Sequence, residues 1–496
     1  MGEATWQGAA INLLNTIIVL GAGMLAMPYA IRSDGIFIGV LVIILSAMTS
    51  SFGLYLQGKC AKYTPPGQAS FFSLSQITYP QLGVVFDLAI VIKCFGVGVS
   101  YLVVIGDLMP QICETLVGDD HPLLLERNFW ITIFMAFIVA PLSYLKKMDS
   151  LKFASMVALS SVAYLVILVF VHFFKHDIQD KGPVRIFKPY SATSILTSFP
   201  IVVFGYTCHQ NMFTLINELN SQSGKIVNKV IFTAIGIAMS LYILVGLTGY
   251  ISFGDKVGPN IIVGYTKSLS STIGRVAIVI LVMLSYPLQC HPARLSVGHI
   301  IHYFRNIKEI SRRPSRAALL QEQRLSNSSS PGSRKVSQAS VSVDRPNRAY
   351  LRSENDETAV LMSNTESEDT SLDLQHELLE QGLLKTAAPP LSGKSFYIVT
   401  TIIVTLSYLV AISVTSLAHV LAFVGSTGST SISFILPGVF GYQLIGSEFL
   451  NMTTGEYENI PKKIKLLRYG AAVLSAWGVL VMVVCLSATI FLGATH

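Results

Sequence analysis

Charge is what this chain has least of. Only 13% of its 496 residues are Asp, Glu, Lys or Arg, against 51% hydrophobic, and the mean hydropathy is +0.57. A water-soluble globule of that length needs far more charge to keep its surface wet, so most of this surface must face lipid. Paired cysteine is lacking as well. The six thiols, Cys60, Cys94, Cys113, Cys208, Cys290 and Cys485, sit mostly in or beside apolar segments, where cysteine behaves as a small hydrophobe, and their spacing forms neither a disulfide framework nor a metal motif. There is no Walker A loop, no HExxH, no CxxC pair and no nucleophile elbow, so an ATP-driven pump or an intramembrane hydrolase has no support. We therefore expect no enzyme activity, no bound cofactor or metal and no nucleic-acid partner. The energy source that remains is an ion gradient.

What is present is a series of apolar runs of roughly 20 residues, about the length that spans a ~30 Å hydrocarbon core as a helix. The first carries neither a basic n-region nor a small-residue cleavage pattern and reads as a retained span. Eleven spans are predicted, over 8–31, 36–58, 84–112, 129–145, 153–174, 194–217, 230–252, 272–303, 395–415, 418–441 and 468–493. The chain divides accordingly into 1–304 with spans one to eight, 305–392, and 393–496 with spans nine to eleven. The middle part contains RLSNSSSPGSRKVSQASVSVDR and SNTESEDTSLD, too polar to bury a core, and is expected to be disordered. Serines beside basic residues in RRPSRAA and SRKVS fit either a kinase target or an inert solvated loop. Lysine and arginine placement favours a cytosolic N-terminus for a multi-pass protein in the bilayer, and an odd span count then puts the C-terminus on the far side.

Two spans carry their own interruptions. In INLLNTIIVLGAGMLAMPYAI, Gly21 and Gly23 flank Ala22 in mid-segment, and Pro28 follows one turn after Met24. Glycine costs about 1 kcal/mol in a helix interior, and proline removes a backbone donor. Tight small-residue packing is the alternative reading, but two glycines two residues apart do not share a helix face. In SFPIVVFGYTCHQNMFTLINEL, Pro200 and Gly205 lead into a polar run of Thr207, Cys208, His209, Gln210 and Asn211 at membrane depth. A broken helix persists in lipid only where protein or a water-filled cavity surrounds it, and transporters use the freed amides and carbonyls to hold solute and ion. Breaks in the first and sixth spans are five spans apart. That is the spacing an inverted repeat of five helices requires, with the site at the repeat interface and the eleventh helix an addition.

Other polar groups lie at depth. Lys93 and Asp107 share a face of the third span but are about 21 Å apart along its axis, so they do not pair. Lys93 either faces the bundle interior or snorkels to the cytosolic side. The eighth span, with Pro287 and Pro292, reads as another disturbed stretch, where the Ser285 hydroxyl is a candidate for a cation pocket beside the first break. His209 and His291 are either proton carriers or neutral imidazoles bonded to carbonyls. The run GSTGSTSISFILPG fits either a helix interface or the permeation path.

The segments GAGMLAMPYA, FGYTCHQNMFTLINEL and LSYPLQCHPAR resemble the amino acid/auxin permease family, and the likeness covers essentially the whole chain. It is strongest to the yeast vacuolar amino-acid exporters, through FDLAIVIKCFGVGVSYLVVIGDLMPQ, APLSYLKKMDSLKFASMVA and GSTGSTSISFILPG. The resemblance implies an all-α integral membrane fold of eleven helices in a five-plus-five inverted-repeat (LeuT-like) bundle with one extra C-terminal helix. It implies a vacuolar membrane location with a lumenal C-terminus, and proton-linked export of amino acids, acidic ones first, from vacuole lumen to cytosol. In sodium-coupled relatives an asparagine of the first span and a hydroxyl of the eighth hold the cation. Asn15 and Ser285 match those positions, with serine in place of threonine, which turns the expectation toward protons. On this reading secondary transport binds the substrate carboxylate at amides of Gly21, Ala22, Gly23 and Met24, with Phe204, Thr207 and Cys208 on the facing wall and His209 a further coupling candidate. Spans one, two, six and seven rock against the rest. A transceptor with little flux and a gradient-independent facilitator are the alternatives.

Overall fold

The structure is a computed structural model that describes residues 5–19, 22–118, 121–145, 152–176, 178, 180–219, 223–305, 391, 393–449 and 459–493. Nearly all of the polar segment expected between 305 and 392 therefore lies outside the described residues, as does Gly21. In a bilayer core every backbone N–H and C=O needs a partner from the protein, and a helix supplies it within one segment. Among the described residues, eight helices are long and apolar enough to cross a membrane, and Arg127–Ser143 forms a shorter apolar one.

The first predicted span is α1 (Trp6–Val19), a one-turn helix at Ala22–Leu25 and α2 (Met27–Asp34). The second is α3 (Ile36–Cys60), and after the short α4 (Phe71–Thr78) the third is α5 (Gly83–Val117). The fourth starts with α6 (Arg127–Phe134) and widens into a π-helical turn at Met135–Val139, and the fifth is α7 (Lys152–Lys175). The sixth is again two pieces, α8 (Ser194–Tyr206) and α9 (His209–Glu218). Then follow α10 (Gly224–Phe253), α11 (Leu269–Arg305) and α12 (Gly393–Ser413). The tenth combines α13 (Leu417–Val424), two π-helical turns and α14 (Leu436–Leu444), and α15 (Lys462–Gly493) ends the described chain.

The helices sort into two groups. α1, α2 and α3 pack on α10 and enclose α8, while α5 runs along α11 and is flanked by α6 and α12. Burial ranks them: 72% of the apolar window of the third span and 78% of that of the tenth are buried, against 28% for α15. The third and tenth spans are thus the interior of the bundle, and α15 lies at its edge.

One expectation changes, and one open alternative is narrowed. The eighth span is not disturbed, because α11 runs helical through both Pro287 and Pro292. Each proline deletes one donor to the carbonyl four residues back, and neighbouring helices stabilise the stretch instead. Arg294 donates to the Ser143 carbonyl at 3.1 Å and to Thr400 Oγ1 at 3.1 Å, tying α11 to the fourth and ninth spans. The Gly-Ser-Thr run of the tenth span is a helix interface. A Cβ on Gly425 would sit 1.9 Å from the Pro200 carbonyl oxygen, and one on Gly428 would sit 2.6 Å from the Lys93 nitrogen, so both glycines permit backbone-close packing on the sixth and third spans.

Candidate functional site

The two breaks meet. Between α8 and α9 the chain turns extended at Thr207 (φ −77°, ψ 97°) before the helix resumes at His209. In the first span Ala26 forms the turn between the Ala22–Leu25 helix and α2, and its N–H donates to the Gly23 carbonyl at 3.2 Å. A Cβ added to Gly23 would lie 2.8 Å from the Gly205 Cα, so the broken segments touch main chain to main chain. The two segments have one side-chain donor in common. Tyr242 of α10 gives its hydroxyl to the Gly205 carbonyl at 2.7 Å, with the Ile17 carbonyl at 3.3 Å. Tyr242 escaped sequence reasoning because an isolated tyrosine in an apolar span carries no local signal.

His209 opens α9 and is fully buried. Its Nε2 stands 3.1 Å from the Ser50 carbonyl on α3, which can only accept, so Nε2 carries the proton. Its Nδ1 then accepts from Ser433 Oγ of the tenth span at 3.1 Å. The His209 carbonyl accepts from Gln57 Nε2 at 3.3 Å. Of the two roles the sequence leaves open for this histidine, the geometry supports a neutral imidazole that joins the second, sixth and tenth spans around the break.

A cavity of about 540 Å³ rises from one end of the bundle toward this junction. Its wall includes Asn15 of α1, Gln210 and Asn211 of α9, and Gln289 and His291 of α11. Asn15 Oδ1 and both amide atoms of Gln210, on residues that line this space, are buried without a hydrogen-bond partner. The predicted substrate residues Gly23, Met24, Phe204, Thr207 and Cys208 come together at the breaks. Met24, Phe204, Thr207 and Cys208 are fully buried there, and none of the five lines the cavity. Ala22 opens the one-turn helix. Asn15 lies on the cavity wall, whereas Ser285 turns its hydroxyl back to the Leu281 carbonyl at 2.7 Å. Gln289 was not singled out in the sequence, since one glutamine beside two prolines has no distinguishing pattern.

Lys93 does not snorkel. It is fully buried, with Nζ 3.3 Å from Gln289 Oε1. A lysine at mid-membrane costs about 2.5–3.5 kcal/mol on insertion scales, yet among the described residues no carboxylate stands within ion-pair distance of it. Asp107, on the same helix face, is matched: Arg127 Nε lies 3.2 Å from its Oδ1.

The profile of the family described as "Transmembrane amino acid transporter protein" matches residues 2–484. The chain belongs to that family. Its relatives in this transporter family include "Vacuolar amino acid transporter 6" of Saccharomyces cerevisiae, 44% identical over 98% of this chain and 99% of the relative. "Vacuolar amino acid transporter 5" of the same yeast is 41% identical over 99% of this chain and 98% of the relative. The crystal structure of MhsT in complex with L-phenylalanine superposes with a TM-score of 0.54 at 12% identity, over 97% of this chain and 99% of that one, and so shares the LeuT-type fold. The proteins of this family are membrane transporters and not enzymes.

In this transporter polar contacts cross the end of the bundle opposite the cavity. Arg185 NH2 stands 2.6 Å from Asp255 Oδ1, and the Tyr250 hydroxyl donates to the same oxygen at 3.1 Å. Tyr190 lies under both the Arg32 and the Arg185 guanidinium, and Ser198 Oγ donates to Asp34 Oδ1 at 2.6 Å. Among the described residues no group of three or more His, Cys, Asp or Glu is placed to hold a metal.

The shared donor of the breaks makes a prediction. Tyr242→Phe leaves the Gly205 carbonyl without its hydroxyl, and an orphaned buried acceptor costs about 1–3 kcal/mol. We expect the initial rate of amino-acid flux in proteoliposomes to fall about five- to tenfold, with unchanged delivery to the membrane.

Proposed function

We propose that this protein is a secondary active transporter that exports amino acids, acidic ones first, from the vacuole lumen to the cytosol, driven by protons. The observation that carries it is the meeting of two interrupted helices at the head of a polar cavity. There Gly23 meets Gly205 main chain to main chain, a contact that only glycine permits, and the amides we assign to the substrate run from Gly21 to Met24, opposite Thr207 and Cys208. The substrate α-carboxylate binds those amides, with Phe204 on the opposite wall. Asn15 is the coupling-site residue best placed for ion exchange, because it lines the cavity and its Oδ1 has no hydrogen-bond partner. Ser285 and His209 enter only if their present hydrogen bonds are given up.

On this reading the chain crosses eleven times, twice by the split first and sixth spans, with the N-terminus in the cytosol and the C-terminus in the lumen, and the lysine and arginine distribution supports that orientation. The cavity then opens to the cytosol, and the Arg185–Asp255 latch closes the lumenal side. The group of spans one, two, six and seven moves against the third, fourth, eighth and ninth to alternate access. The 305–392 segment is the cytosolic part open to a kinase. The yeast relatives named as vacuolar amino acid transporters support the compartment and the solute class.

Flux of labelled amino acids into proteoliposomes with an imposed pH gradient tests this. We expect uptake that collapses when the gradient is dissipated. If no amino acid moves in a gradient-dependent way, the proposal fails, and flux that ignores the gradient identifies a facilitator. Deleting residues 310–390 separates the transceptor reading, since a transporter core keeps its flux.

A further inference from the structure

The Lys93 ammonium is a buried cation whose one hydrogen bond, among the described residues, is to a neutral amide oxygen. It lies fully buried on α5, the helix at the centre of the scaffold, and the Gly428 backbone of the tenth span closes over its main chain. Its hydrogen-bond acceptor, Gln289, is itself part of the cavity wall. Lys93 therefore stands behind the cavity wall, one neutral side chain from the open space.

The carboxylates of that cavity do not serve it. Asp87 lies six residues earlier on α5, about 9 Å nearer the mouth by helical rise, and its Oδ1 is held 3.0 Å from His299 Nδ1. Glu218 also lines the cavity, at the far end of α9 from the break. A buried cation satisfied by one amide oxygen is a receptor for an anion, since an incoming carboxylate replaces a weak neutral acceptor with a charge-assisted one. The α-carboxylate is already assigned to the main chain at the first break.

We infer that Lys93 is the specificity-determining residue that receives the side-chain carboxylate of an acidic amino acid, with Gln289 as its stand-in when the site holds no substrate. The inference rests on the transport reading above and goes beyond it by naming the group that separates glutamate from glutamine. These two solutes match in shape and differ in charge at neutral pH.

The test uses the full chain in proteoliposomes at neutral pH, with labelled glutamate and labelled glutamine as probes. Wild type is expected to move glutamate at least about tenfold faster than glutamine. Lys93→Met, which keeps the length and removes the charge, is expected to lower that ratio at least about tenfold while glutamine flux persists, and Lys93→Arg to keep most of it. An active Lys93→Met protein with an unchanged ratio overturns the inference, as does a wild type that moves both equally well. Should the variant not fold, thermal stabilisation of purified wild type decides: a larger shift with glutamate than with glutamine supports it, and equal shifts overturn it. Flux without charge preference defeats this inference alone, whereas a wild type that moves no amino acid defeats the transport reading.

Discussion

Gly23→Ala is expected to cut amino-acid flux about a hundredfold or more, and Gly205→Ala far less, although both glycines stand at the same contact. The difference lies in what each new methyl meets. From Gly23 it points at the Gly205 Cα at 2.8 Å, a main-chain atom with no rotamer to adopt. From Gly205 it meets Met27 Cε at 2.6 Å, the end of a flexible thioether, and the Tyr242 ring at 3.3 Å. Overpacking costs about 1–3 kcal/mol where side chains can yield, and more where backbone must move. Each 1.36 kcal/mol is a factor of ten in rate, so separating the two broken segments by even a few tenths of an ångström removes the geometry that binds solute. Initial rates in proteoliposomes, normalised to inserted protein, give the comparison. Equal effects from the two substitutions would show that the main-chain contact is not what matters.

His209→Leu is expected to lower flux roughly 30-fold or more, and His209→Gln to recover most of it with its gradient dependence intact. Leucine leaves the Ser50 carbonyl and the Ser433 hydroxyl without their imidazole, two buried groups at about 1–3 kcal/mol each. Glutamine offers a donor and an acceptor on one planar head and can span the same two partners. A proton carrier behaves differently, because glutamine does not titrate. Flux of His209→Gln with and without an imposed pH gradient distinguishes the two, and loss of gradient dependence alone would make His209 the coupling residue.

The sixth-span break is legible because Pro200, Gly205 and the polar run after it act through local chemistry, and the structure turns extended at Thr207. The first break is legible in the same way, but the part played by Gly23 is only half visible. Interruption and small-residue packing stand as alternatives in the sequence, and in the structure Gly23 stands in the interrupted stretch and also meets Gly205. The prolines of α11 mislead, since a missing donor predicts disturbance and only the neighbouring helices reveal that the helix continues. The 418–441 span hides its π-helical turns, which have no composition signature apart from small and hydroxyl residues.

Composition and spacing alone determined that this chain is helical, that its surface faces lipid, and which two spans are interrupted. Those properties follow from the hydrogen-bonding demands of a backbone in hydrocarbon and from what glycine, proline and polar side chains do to the helix that contains them. Only the tertiary structure decided that Lys93 points inward to Gln289, 196 residues away, that His209 is held between Ser50 and Ser433, and that Tyr242 serves both breaks. In a membrane helix the lipid-facing and the core-facing positions are both apolar. The period that tells inside from outside in a soluble helix is nearly erased, and a side chain's partners emerge only when the helices pack.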